Sequence, residues 1–188
     1  MSEARDRWLN EGVEVLAEEG ASGVRIDRIA ARLGLSKGSF HHHFDGAADY
    51  KRQLLTYVED RQISAFARAI EEPADGGTAP QETLRSLVAL LGTSLDLYRP
   101  RLETALRAWA LTDQDAARTQ AGIDEARLNG LRGIWRQITD DEDVVDTAAL
   151  LPYVIALGAT VIMPPLDIDH LQRLYAMIMP LVPQHASQ

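Results

Sequence analysis

Between Ile26 and Phe44 the chain leaves room for little except two short helices joined by a tight turn. Ile26, Ile29, Ala30 and Leu33 recur at spacings of three and four, the period of a helix with one buried face. Gly34 can adopt the left-handed conformation that ends a helix. Ser36 offers a hydroxyl to the free N–H groups of the next one. That next helix is expected over Lys37–Phe44, anchored by Phe40 and Phe44 and ended by Asp45-Gly46. Helix, short glycine-containing turn, helix is the pattern of a helix-turn-helix unit.

The rest of the chain also reads as helical. No run of period-two alternation with hairpin turn signals occurs. Helices are predicted over about 2–19, 26–33, 37–44, 47–72, 81–98, 101–112, 114–138, 142–163 and 168–182. Pro73 to Pro80 is the clearest loop, rich in Gly, Pro and Asp. The expected fold class is therefore all-α. Three helices at residues 1–46, containing the helix-turn-helix, would precede a helical bundle at 47–188.

Composition narrows the function. The chain has 188 residues, 46% of them apolar and 25% charged, which excludes wholesale disorder. It has no cysteine, so disulfides, a thiol nucleophile and cysteine-ligated metal sites are excluded. A net charge of −9 opposes nucleic-acid binding by the molecule as a whole. The helix-turn-helix segment is the exception: Arg25, Arg28, Arg32 and Lys37 stand against Asp27, a local charge of +3. In such a unit the second helix enters the major groove. Ser36 and Lys37 suit phosphate, Gly38 permits close approach of the backbone, and Ser39, His41 and His42 present donors and acceptors to base edges.

The residues Ile29-Ala30, Gly34, Ser36-Lys37-Gly38-Ser39 and His43-Phe44 resemble the DNA-binding signature of the TetR family of bacterial transcriptional regulators. The resemblance covers residues 1 to about 60. It implies a sequence-specific regulator, a ligand-responsive homodimeric repressor on a palindromic double-stranded DNA operator. The implied DNA-binding residues are Arg25, Ser36, Lys37, Gly38, Ser39, His41, His42 and His43. Three departures stand out. Arg25 replaces the usual capping Thr, so that Asp27 would take over the cap or Arg25 would reach a phosphate. His41 replaces Tyr, and the turn Asp45-Gly46-Ala47 lacks the phosphate-binding Lys, for which Lys51 or Arg52 could compensate.

Three consecutive histidines on a helix point about 100° apart and do not converge on one metal ion, so no metal and no cofactor is expected. No catalytic constellation is present, and an enzyme is not expected. A small apolar or aromatic effector would lie against Phe66, Tyr98, Arg107, Trp109, Trp135 and Tyr153. The apolar stretch Leu150–Met163 falls short of the ~20 residues of a membrane span. It reads as a buried helix of a cytoplasmic protein. With the last helix it suggests a subunit interface through Leu151, Ile155, Leu171, Leu174, Tyr175 and Ile178. A rival reading is a small-molecule-binding or scaffold protein of TetR-like fold that no longer binds DNA, favoured by the missing turn lysine and the acidic balance.

Overall fold

The computed structural model describes residues 3–72, 79–91 and 97–183, and among them no strand occurs. The helices are α1 (Glu3–Glu19), α2 (Ile26–Leu33), α3 (Lys37–Phe40), α4 (Ala47–Glu71), α5 (Pro80–Leu90), α6 (Pro100–Ala110), α7 (Gln114–Trp135), α8 (Glu142–Val161) and α9 (Ile168–Ile178). Short 3-10 turns cover Ala21–Gly23 and Met179–Leu181. The all-α expectation holds.

Some boundaries fall earlier than predicted. α3 has only four residues, because beyond Phe40 the bonds tighten: His42 N–H reaches Ser39 O and His43 N–H reaches Phe40 O. The C-terminus of α7 tightens in the same way, with Ile138 N–H on Trp135 O. The predicted helix 81–98 ends at Leu90; its residues 92–96 lie outside the described residues, as do 73–78 of the predicted loop. Pro80 opens α5 at a position where its missing N–H costs nothing.

The chain forms two compact units, residues 1–61 with 101–122, and residues 62–100 with 123–188. The first is built on aromatic packing. Trp8, Phe40, Phe44 and Tyr50 are almost fully buried. Phe40 stacks edge-on to Trp8 at 5.3 Å and contacts Phe44 at 5.0 Å, and Phe44 meets Tyr50 at 4.9 Å. The Tyr50 hydroxyl donates to Trp8 O at 2.7 Å. Burial pushes the Tyr50 phenol up.

The second unit has an apolar core of Leu84, Leu87, Leu131, Ile134 and Val145, with Trp135 and Tyr153 at its edge and Phe66 packed against it. A smaller cluster joins Ala159, Leu171 and Tyr175 to Tyr98 and Ile155. Pro152 sits inside α8, and its carbonyl accepts the Tyr175 hydroxyl at 2.9 Å.

The expectation of a buried α8 is met on one side only. Val145, Ala149 and Tyr153 face the core at helical spacing. Val144, Leu151, Val154 and Val161 face outward, each between 45% and 59% exposed. α8 has 20 residues and, among the described helices, is the one long and apolar enough to cross a bilayer. Leu174, Met177 and Leu181 are exposed as well.

Candidate nucleic-acid interface

The helix-turn-helix is held by local chemistry. Gly34 takes the left-handed conformation at φ 65°, and its N–H bonds Ala31 O while Leu35 N–H reaches Ala30 O. Ser36 caps α3, its Oγ accepting from Ser39 N–H at 3.3 Å. Phe40 is fully buried, which turns the other side of α3 outward. Ser36, Lys37, Gly38, His41 and His42 are exposed, whereas Ser39 and His43 are half-buried.

Charge is distributed differently from the linear sequence. Arg32 pairs with Glu11 and Glu18, and its neighbour Arg28 pairs with Glu19. Arg25 bonds Asp27 at 3.0 and 3.2 Å. The three arginines are thus answered by glutamates of α1 and by Asp27. Lys37 has no ion pair among the described residues. The Glu18 carboxyl lies below its usual range because Arg32 donates to it. No side chain caps α2 at Arg25. The Asp27 carboxyl is held down chiefly by the Arg25 hydrogen bond, with the first-turn N–H groups of Asp27 and Arg28 adding to it.

Neither proposed substitute for the missing turn lysine is free. Lys51 donates to Asp113 at 2.6 Å and pairs with Asp115 at 2.8 Å. Arg52 bonds Asp49 at 2.8 Å. Asp113 also caps α7, its other oxygen accepting from Asp115 and Ala116 N–H. The Lys51 contacts escape sequence reading because the partners are about 60 positions away; only the Asp-x-Asp spacing at the start of α7 hints at a capped helix.

The predicted effector residues divide between the units. Phe66, Trp135 and Tyr153 meet in one core cluster, and Tyr98 belongs to the smaller cluster with its hydroxyl on Leu166 O. Tyr153 donates to Asp124 at 2.6 Å. The Trp135 indole N–H is buried with no hydrogen-bond partner among the described residues. Arg107 and Trp109 lie in the first unit, Arg107 on Glu103. Of the predicted interface residues, Leu151 and Leu174 are exposed, Ile155 and Ile178 are half-buried, and Leu171 and Tyr175 are buried within the chain's own core.

The family model of bacterial regulatory proteins, tetR family, matches residues 9–55, from α1 through the helix-turn-helix into α4. Over those residues the chain is similar to the TetR family. The chain is 34% identical over 83 residues to the transcriptional regulator AcuR of Cereibacter sphaeroides. That alignment takes in 44% of the chain and 36% of AcuR, so the chain matches about a third of that relative's length. Among solved structures, a TetR transcriptional regulator from Legionella pneumophila superposes with a TM-score of 0.77 at 14% identity, covering 97% of this chain and 99% of that one. A transcriptional regulator from Rhodococcus sp. Rha1 gives 0.71 at 22% identity, covering 95% of each. At these identities the structures establish a shared fold.

Proposed function

We propose that the chain is a sequence-specific DNA-binding transcriptional regulator, a homodimeric, ligand-responsive repressor of a palindromic operator. The observation that carries this reading is the exposed α3 edge, Ser36-Lys37-Gly38 with His41 and His42, on a helix-turn-helix fixed from behind by Phe40. Residues 1–46 would deliver that edge, and residues 47–188 would hold the regulatory function. Two copies would place two such edges about one helical turn of DNA apart. A second copy, not lipid, would cover the outer apolar face of α8, and the protein would work in the cytoplasm without catalysing a reaction. An effector of apolar or aromatic character would occupy the second unit near Phe66, Trp135 and Tyr153. It can act only if it favours one separation of the DNA-binding edges.

A second reading, a TetR fold that has lost DNA binding, draws support from the engagement of Lys51, Arg52 and the arginines of α2 in internal pairs. Selection of random duplexes by the purified protein at about 100 mM salt, where phosphate contacts remain partly effective, separates the two. An enriched palindrome supports the regulator. No enrichment from a folded dimer supports the second reading. Lys37→Ala should weaken binding to every duplex and lower the salt slope by about one per subunit. An unchanged slope would remove Lys37 from the interface.

A further inference from the structure

The first unit contains a pocket of about 490 Å³ beside the helix-turn-helix, a volume suited to a small molecule. Val24, Ile26 and Tyr50 give it apolar walls, and Trp109 of α6 lines it as well. Arg25, Lys37 and Lys51 contribute positive charge against the single carboxylate of Asp27. Two of these cations are engaged, Arg25 by Asp27 and Lys51 by Asp113 and Asp115. Lys37 is not, and the Trp109 indole N–H has no hydrogen-bond partner among the described residues. His41 completes the rim. An ammonium without a partner among the described residues, an indole and aliphatic walls together complement a flat amphiphile with one charged end.

We propose that this pocket is a binding site for a flat apolar monoanion of the arylcarboxylate class. Its ring would lie against Trp109 and the Val24–Ile26 wall, and its carboxylate would meet the Lys37 ammonium. Lys37, the one pocket cation without a partner among the described residues, stands with Asp27 on the same wall and so favours one negative charge over two. Lys37 and His41 also belong to the edge proposed to face DNA. An occupied pocket therefore withdraws Lys37 from phosphate, and the ligand competes with DNA inside the DNA-binding unit itself. The site stands independently of the regulator reading; the competition rests on it.

The test is a titration of the ¹⁵N-labelled full-length protein with 2-naphthoate, followed through the indole N–H signals of Trp8, Trp109 and Trp135. Trp109→Phe assigns the signal by its loss. The expected result is a saturable shift of Trp109 with Trp8 and Trp135 unmoved. Lys37→Met should weaken binding about three- to fivefold, as for a partly exposed ion pair, and the neutral 2-naphthamide should lose a similar factor. A stationary Trp109 signal up to the solubility limit overturns the proposal. So does movement of Trp135 alone, which would place the probe in the second unit. Equal binding of acid and amide overturns the anion preference. A separate titration with the selected duplex should show 2-naphthoate raising the apparent DNA dissociation constant of the parent but not of Trp109→Phe. If no duplex binds, the indole titration still decides the site.

Discussion

Replacing Gly12 by Ala should destabilise the protein, although alanine is the better helix former. Gly12 is buried in the middle of α1. A Cβ there would stand 2.1 Å from the Tyr50 hydroxyl oxygen and 3.0 Å from Leu54 Cδ1. Helix propensity alone favours Ala by about 1 kcal/mol. Against this, the phenol must move and lose its bond to Trp8 O, a loss of about 0.5–1.5 kcal/mol. Forcing an extra methyl into a filled core costs a further ~1–3 kcal/mol. The balance is a net destabilisation of about 2 kcal/mol, to be read as a lowered urea midpoint at fixed protein concentration. Because Tyr50 packs against both Phe40 and Phe44, the same variant should lose duplex affinity. Adding Tyr50→Phe removes the oxygen at 2.1 Å and leaves contacts of 3.0 Å or more. The double variant should therefore be more stable than Gly12→Ala alone. A Gly12→Ala protein at least as stable as the parent would refute the packing argument.

The Lys51–Asp113 pair should show a coupling of about 0.5–1 kcal/mol in a Lys51→Met, Asp113→Asn double-mutant cycle at pH 7, discounted for partial exposure. Hydrogen bonding to Lys51 holds the Asp113 carboxyl down, so that part of the stability is present above about pH 4 and fades as pH falls further. The Lys51 ammonium is raised by Asp113 and Asp115, so the coupling also fades above about pH 10; a coupling unchanged at pH 3 would contradict the pairing. Ser36→Ala should cost about 1 kcal/mol through loss of the α3 cap, and Ser36→Asp should retain the stability while weakening duplex binding. Val154→Glu with Leu151→Glu should yield a folded monomer by sedimentation if a second copy covers α8; a persistent dimer would move the interface elsewhere.

The helix-turn-helix was legible because its signals are local. Gly34 and Ser36 determine their own turn and cap within a few residues, and Phe40 falls on the apolar side of any helix starting at Lys37. The arginine pairing was not legible. Glu11, Glu18 and Glu19 meet α2 only because α1 packs against it, and linear charge counting cannot see that contact. The short α3 was missed because the bonds beyond Phe40 switch to the tighter pattern without a glycine or proline to announce it. Aromatic type likewise does not say which unit a residue joins, so Trp109 and Trp135 were grouped although they lie in different units. For α9, periodicity identified an apolar face but not that Leu171 and Tyr175 would be covered by the chain itself.

The internal pairing of Arg25, Arg28 and Arg32 also bears on how such a regulator would find its operator. Weak, sequence-blind attachment to bulk DNA grows with the number of cations available to displace counterions. A unit that presents Lys37 and keeps its arginines internally satisfied would hold random DNA briefly and slide over short distances. Its search would run mainly through solution, in many separate encounters, and its residence at a site would depend on base-edge and shape complementarity more than on charge.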